Sequence, residues 1–245
     1  DYVAAHPEWF GDGCVCGSEG CGWDERALDC WFTDYLPDLN YRNADIVEQV
    51  LADTLELVES YDVDALRVDA AKHMDHVIMR GLSKALATRH EAGGGAEFYL
   101  VGETYTNGDG HGEIMNYVNA DELDGQFDFP LFWSIRETFA HGGSFQALEG
   151  AVAAGVSAYG NATMSPFLGN HDIPRFATEA AGNDDGAWGF TEDWMAGGDA
   201  TVTQWDLINR TSMGLAFTLT QPGAPLLYYG DEIGLAGAAD PDNRR

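Results

Sequence analysis

Three acidic residues each follow an apolar, strand-like run of the sequence. Asp69 follows 63–68, Glu103 follows 98–102 and Asp172 follows 166–171. Glu103 lies 34 residues after Asp69, and Asp172 lies 69 residues after Glu103. These separations fit one and then two strand–helix units of a barrel, whose functional residues lie where its strands end. We therefore expect the three carboxyl groups to belong to one catalytic face.

The neighbours of these residues suggest the chemistry. Alternation along a strand puts Arg67 on the same face as Asp69, and a guanidinium favours the ionised carboxylate that a nucleophile needs. Glu103 follows Gly102, and a carboxyl between apolar walls that faces another carboxylate tends to keep its proton, as a general acid must. Taken singly, these residues could be an ion pair, a helix cap and a turn. Together they predict the two carboxyl groups of glycoside hydrolysis.

The elements that would position these residues alternate along the chain. Helical periodicity begins at Asn43, a candidate N-cap. Near-continuous apolar strands between helices predict a parallel sheet covered by helices. About five strand–helix units can be counted, whereas a closed barrel has eight. The predicted strands are 63–69, 98–103, 125–129, 164–171 and 225–229. The predicted helices are 43–58, a second from 74 to near the glycines at 93–95, 131–140, 145–152 and 202–219.

The charge restricts the class of partner. The net charge is −29, with two lysines among 245 residues, and such a field repels phosphate backbones, which excludes nucleic acid as the expected partner. A neutral glycan is compatible with it. The acidity could serve solubility or adaptation to high salt. No apolar run approaches the length of a membrane-spanning helix, so no membrane partner is expected.

The four cysteines lie together in a glycine-rich segment. Cys14, Cys16, Cys21 and Cys30 fall within 17 residues. Their spacing lacks the paired C-x2-C knuckles of a typical zinc site, which favours two disulfides over a metal, with the pairing left open. Disulfides indicate an oxidising compartment, and we expect an extracellular or periplasmic protein.

Five segments resemble the signature regions of the α-amylase family of glycoside hydrolases. They are Leu36–Asn40, Leu66–His73, Val101–Glu103, Phe167–Asp172 and Gly223–Glu232. The resemblance implies a TIM-type (β/α)8 barrel of which about strands 4–8 are present. Residues 1–42 would be part of a protruding loop domain, and 43–245 the C-terminal part of the barrel. The family's first signature, on the third strand, has no counterpart in the sequence.

The resemblance also implies catalytic roles. Asp69 would be the nucleophile, Glu103 the acid/base and Asp172 the residue that stabilises the transition state. Arg67 and His171 would bind around the attacked sugar. The implied mechanism is retaining, through a covalent glycosyl-aspartate.

Further residues would bind substrate or metal by the same resemblance. Lys72 and His73 would contact the sugars on the leaving-group side, and Asp240 and Arg244 would bind sugar farther along the non-reducing side. Calcium is expected, held in part by the Asp38 carboxylate and the backbone carbonyl of His73. The remainder of that site belongs to the missing first signature.

We therefore expect endo-acting hydrolysis of α-1,4-glucosidic bonds in a starch-like α-glucan by a protein that is monomeric when full length. A cyclodextrin- or oligosaccharide-cleaving relative, a transglycosylase and a non-catalytic glycan-binding member are the alternatives. Six scattered aromatic residues could stack on sugar rings, although we expect most of them in the core. They are Trp9, Trp23, Trp31, Tyr105, Tyr228 and Tyr229.

Overall fold

A computed structural model describes residues 2–91, 96–182, 204–238 and 240–244. The helices are α1 (Tyr2–Ala5), α2 (Ala44–Tyr61), α3 (His76–Leu86), α4 (His111–Met115), α5 (Phe129–Phe139), α6 (Phe145–Tyr159), α7 (Phe176–Ala180) and α8 (Gln204–Thr220). The strands are β1 (Ala65–Val68), β2 (Tyr99–Gly102) and β3 (Gly125–Gln126). Short 3-10 turns lie at Pro7–Trp9, Ala71–His73, Asp231–Ile233 and Asp242–Arg244, and a π-helical turn at Ala87–Glu91. Among these described helices, none has both the length and the apolarity that crossing a bilayer requires.

The residue contacts divide the chain into two units. The first comprises the described residues up to Tyr105 together with Asn116–Gly125. The second comprises Thr106–Met115 and the described residues from Gln126 onward. The resemblance implies a different division of the chain, into a loop domain and a barrel part at residue 42. That division stays a prediction.

The sheet positions the carboxylates of the first unit. Its strand order is β1-β2-β3. Strands β1 and β2 are parallel, with Arg67 opposite Val101 and Val68 opposite Gly102. Both strands therefore end at the same edge, and Asp69 and Glu103 each follow the last residue of a strand there. The Glu103 amide donates to the Val68 carbonyl at 2.9 Å, which extends the pairing past the strand end.

Helices α2 and α3 cover this sheet, as their sequence patterns predict. The Asn43 side chain accepts from the Asp45 amide and caps α2, and the Asp75 side chain accepts from the Val77 amide and caps α3. The predicted alternation in β1 is confirmed, because Leu66 and Val68 pack against the core. The buried members of that core are Leu55, Val58, Ala71, Ile78, Met79, Leu82, Leu86, Phe98, Leu100, Tyr117 and Leu123.

The Cys-rich segment of the first unit contains two disulfides, as predicted. Cys14 pairs with Cys21 and Cys16 with Cys30. Cys21 and Cys30 are 0% and 2% exposed, and the apolar cluster around them consists of the four cysteines alone. The disulfides thus take the place of a hydrophobic core in this segment.

The second unit is built around α5, α6 and α8. Asp128 caps α5 by accepting from the Leu131 amide, and Ser144 caps α6 by accepting from the Ala147 amide. Its principal core contains Leu131, Ile135, Phe139, Ala140, Leu148, Leu168, Phe176, Ala180, Ala181 and Leu207.

Two predicted strands form only isolated β-bridges. The run 164–171 pairs only at Ser165, with Phe127, and at Phe167, with Leu226, both in parallel. The run 225–229 pairs only at Leu226. Pro166 and Pro225 lack the amide hydrogen that a longer ladder would need at those positions.

Two helices also differ from their predicted form. Helix α6 continues to Tyr159, seven residues beyond the predicted end at 152. Three of the added residues are alanines, which favour a helix, and Gly160 follows the last helical residue. Helix α3 ends at Leu86 and a π-helical turn follows to Glu91, whereas the sequence predicts a helix that ends near 93–95, where 92–95 lie outside the described residues. Helical spacing also predicts Val77 on the apolar face of this helix, but Val77 is 42% exposed and Met79 is buried. Helix α8 is described from Gln204, so the predicted start at 202 lies outside the described residues.

Candidate active site

One guanidinium joins two of the predicted catalytic carboxylates. Arg67 Nη1 lies 2.5 Å from Asp69 Oδ1, and Arg67 Nη2 lies 2.8 Å from Glu103 Oε1. The strand pattern predicts Arg67 beside Asp69, and the resemblance implies that Arg67 binds around the attacked sugar. The structure makes it the shared partner of both carboxylates, which lie within the span of a single side chain.

The two carboxylates differ in exposure. The Asp69 side chain is 70% exposed, whereas the Glu103 side chain is 10% exposed. Glu103 lines a cavity together with Trp23, Phe32 and Tyr105, and Asp69 is open to an incoming molecule. A retaining hydrolase needs an accessible nucleophile and an enclosed proton donor, and this pair has that asymmetry.

The chain turns sharply after Asp69. Ala70 has φ 45°, in the left-handed region that residues with a Cβ rarely occupy. Such a conformation costs on the order of 1–3 kcal/mol and persists only where surrounding contacts hold it. One such contact is the hydrogen bond from the Ala71 amide to the Glu103 carbonyl, at 2.7 Å. The turn carries Lys72 and His73 back toward Glu103.

Lys72, His73 and Glu103 line one cavity of about 380 Å³, within the range of small-molecule sites. Lys72 Nζ donates to the Tyr105 carbonyl at 3.0 Å. His73 Nδ1 lies 2.9 Å from the Ala27 carbonyl. The other lining residues are Trp23, Phe32, Ala70 and Tyr105.

The second unit brings together the other predicted residues. His171 Nε2 lies 3.4 Å from Asp172 Oδ1, and Arg244 Nη2 lies 3.5 Å from the same oxygen. Arg244 Nε also contacts Asp240 Oδ1 at 2.5 Å. Asp172 and Asp240 thus share Arg244, as Asp69 and Glu103 share Arg67.

Two side chains that the sequence analysis missed hold the backbone around Asp172. Asn243 Nδ2 donates to the His171 carbonyl at 2.7 Å and to the Ile173 carbonyl at 2.8 Å. Arg136 donates to the carbonyls of Leu168 and Pro174, each at 2.9 Å. The loop that presents Asp172 is therefore held at its centre and at both ends.

The ion pair of Arg136 accounts for its burial. Its guanidinium also contacts the Glu179 carboxylate, and Arg136 is 2% exposed. Burial alone would raise the pKa of Glu179, but the Arg136 guanidinium and His141 outweigh it and lower that pKa. The ionised pair is a rigid support behind the loop.

The position of the Asp38 carboxyl is compatible with the calcium ligand that the resemblance implies. Asp38 and His73 line a second cavity, of about 230 Å³. Burial, followed by the charge of Asp29, raises the pKa of Asp38 to about 7. A carboxylate oxygen is a ligand that a hard cation such as calcium prefers. The described parts of the chain contain no cluster of three or more acidic, His or Cys side chains that could hold a metal ion.

The expectation that most of the six scattered aromatic residues belong to the core was wrong, because none of them is fully buried. Trp23 and Tyr105 line the Glu103 cavity and are 47% and 48% exposed. Phe32, also in that cavity, was not singled out. Its only signal in the sequence is its place between Cys30 and the resembling segment Leu36–Asn40.

Comparison with known proteins identifies the class. Residues 17–244 match the family profile of the α-amylase catalytic domain. An α-amylase from Schwanniomyces occidentalis is 28% identical over 222 residues, which are 88% of this chain and 36% of that protein. A cyclomaltodextrin glucanotransferase from Bacillus licheniformis is 29% identical over 211 residues, 85% of this chain and 25% of that protein. The solved structure of an Anoxybacillus α-amylase superposes with a TM-score of 0.78 at 23% identity, covering all of this chain and 48% of that one.

The fold is therefore part of a (β/α)8 barrel. The chain belongs to the α-amylase family. It spans between about a quarter and about a third of the length of the two curated relatives named above.

Proposed function

We propose that the full-length protein cleaves α-1,4-glucosidic bonds within starch-like glucans by a retaining double displacement. The observation that carries the proposal is the sharing of Arg67 by Asp69 and Glu103, one carboxylate open and one enclosed. Family membership supports the glycosidic bond as the target.

Asp69 attacks the anomeric carbon, and Glu103 gives its proton to the leaving oxygen. The bond from the anomeric carbon to that oxygen breaks as the bond to Asp69 Oδ forms. Glu103 then takes a proton from water, which attacks the same carbon and releases Asp69. Asp172 and His171 bind hydroxyl groups of the sugar under attack, and Asp240 and Arg244 bind the glucan farther toward its non-reducing end. Lys72 and His73 bind the sugars of the leaving group.

The test is a set of carboxamide substitutions in the full-length protein. Asp69→Asn should lower turnover of a maltooligosaccharide on the order of 10⁴-fold while leaving binding largely intact, since the side chain is exposed and similar in size. Asp64→Asn is the matched control, because Asp64 is an exposed carboxylate just before the same strand, at its opposite end. An undiminished rate in Asp69→Asn would refute the assigned role.

Stereochemistry tests the mechanism separately. Proton NMR during hydrolysis should detect the α-anomer as the first product. The β-anomer would mean inversion and would remove Asp69 as a covalent nucleophile.

A transglycosylase or cyclodextrin-cleaving activity is the second candidate. It is supported by the similarity to a glucanotransferase and by the aromatic cavity beside Glu103, where a sugar could replace water as the acceptor. Product analysis separates the two, since transfer yields oligosaccharides longer than the substrate.

We further propose calcium at Asp38, a monomeric full-length protein, and an extracellular or periplasmic location. The half-buried Asp38 carboxyl supports the first of these. The two disulfides support the location.

A further inference from the structure

The Trp23 ring lies at the wall of the Glu103 cavity and has no assigned role in the reaction. It is 47% exposed, although it makes edge contacts with Phe32 at 5.6 Å and with His73 at 5.8 Å between ring centroids. Phe32 and His73 are themselves 4.8 Å apart. Three rings thus form a continuous surface beside the candidate proton donor. An exposed indole face is a surface on which the C–H face of a sugar ring packs well.

The disulfide-closed loop fixes the indole in this place. Trp23 lies between Cys21 and Cys30, the downstream partners of the two disulfides. Gly17 packs against the indole so closely that a Cβ there would lie 2.7 Å from Trp23 Nε1. The same loop supplies the Ala27 carbonyl that holds His73 Nδ1. Because this segment has no apolar core beyond its cysteines, little else would maintain the wall after reduction.

We propose that Trp23 is a specificity-determining residue that stacks on a sugar of the leaving group, and that the two disulfides hold it in that position. The inference rests on the proposed function, since it assigns Trp23 to the side of the bond where Glu103, Lys72 and His73 act. We therefore expect that reduction of the disulfides by a thiol removes the enzyme's preference for oligosaccharide substrates. Each disulfide takes two electrons and two protons from a dithiol, yielding two cysteine thiols and the oxidised dithiol.

Two substrates separate this role from the chemical step in the full-length protein. A maltooligosaccharide places sugars on both sides of the cleaved bond. In α-maltosyl fluoride the leaving group is fluoride, which needs neither a sugar-binding wall nor a strong acid, so its hydrolysis reports the nucleophile alone. Trp23→Ala should lower kcat/KM for the maltooligosaccharide about tenfold, mainly through KM, and leave fluoride hydrolysis within about twofold.

Further variants distinguish stacking from general disorder. Trp23→Phe keeps a ring and should recover most of the lost kcat/KM. Tyr61→Ala is the matched control, because Tyr61 is an aromatic residue 76% exposed at the end of α2, and it should behave as the wild type on both substrates. Dithiothreitol, or the double variant Cys16→Ala/Cys30→Ala, should reproduce the selective loss of Trp23→Ala.

The outcomes that overturn the inference are distinct from those that overturn the proposed function. Equal activity of Trp23→Ala and the wild type on the maltooligosaccharide refutes the stacking role, as does an equal loss on both substrates. Full oligosaccharide activity in dithiothreitol, with Cys14, Cys16, Cys21 and Cys30 shown to be free thiols by mass spectrometry after alkylation, refutes the role of the disulfides. A wild-type protein that hydrolyses neither substrate refutes the proposed function itself.

Discussion

Substituting Arg136 by methionine should damage both stability and turnover, for reasons that can be separated. The guanidinium donates to the Leu168 and Pro174 carbonyls and pairs with Glu179. A hydrogen bond from a charged donor contributes about 1.5–3 kcal/mol, and removing one partner of a buried ion pair costs about 3–5 kcal/mol. These terms overlap, so we expect a loss of about 5 kcal/mol in the free energy of unfolding, a large share of a domain's usual 5–15 kcal/mol.

The loss in the free energy of unfolding caused by Arg136→Met should depend on pH. In the wild type, burial raises the pKa of Glu179, but Arg136 and His141 outweigh it, so the pKa is lowered overall. This pair therefore stabilises the protein above the ordinary glutamate pKa, and the stabilisation falls as pH drops through the folded-state pKa. Without Arg136, burial penalises the ionised carboxylate. The deficit of Arg136→Met should thus be greater at pH 7 than at pH 4, as measured by urea unfolding.

Arg210 provides a control for the effect on turnover. Its Nη1 also donates to two carbonyls of the same unit, those of Ala140 and Ala180, both at 2.8 Å, but it does not hold the Asp172 loop. Under conditions where both variants are folded, Arg136→Met should lower kcat about 10²-fold, the usual cost of a misplacement of about 1 Å, and Arg210→Met should lower it little. If Arg136→Met and Arg210→Met lower kcat equally, the proposed support of Asp172 by Arg136 is wrong.

Three other perturbations have defined outcomes. Burial raises the pKa of Asp231 to about 6. The free energy of unfolding should therefore fall by up to about 3 kcal/mol as the pH rises from about 4 through 6. Asp231→Asn should remove this pH dependence, as measured by the urea midpoints. Calcium should raise the thermal midpoint of the wild type but not of Asp38→Asn, and a chelator should reverse the rise. With a net charge of −29, the thermal midpoint should increase between 0.1 M and 2 M potassium chloride, because salt screens the repulsion; a midpoint independent of salt would leave solubility as the role of the acidity.

The sequence was sufficient where structure depends on short-range periodicity. The start of α2 at Ala44 follows from its Asn43 cap and apolar spacing, and β1 and β2 follow from apolar runs that end in an acid. Strand alternation correctly predicted that Arg67 and Asp69 share a face. Each of these features is determined by residues within a few positions of one another.

Irregular segments were harder, because a strand-like composition does not guarantee a ladder. The run 164–171 contains Met164, Phe167 and Leu168, yet it pairs only at Ser165 and Phe167. The Met164, Ser165 and Pro166 carbonyls accept backbone amides. The Leu168 and His171 carbonyls instead accept from the side chains of Arg136 and Asn243, which lie 32 and 72 residues away in sequence. No local pattern reveals such partners. For Arg136 the only signal in the sequence is that it is the single basic residue of a mostly apolar helix.

The contacts of Arg67 show why the sequence predicts which two carboxylates form the catalytic pair but does not predict how the two are arranged. Alternation within β1 relates Arg67 to Asp69, whereas its contact with Glu103 depends on the register of β1 against β2. That register puts Val101 opposite Arg67, so Glu103, two residues farther along the same face, comes within reach of the guanidinium. A shift of one residue in that register would turn Glu103 to the opposite face, and no acid would then lie beside the nucleophile. The chemistry of this site therefore depends on strand pairing that the apolar cores of α2 and α3 hold in place.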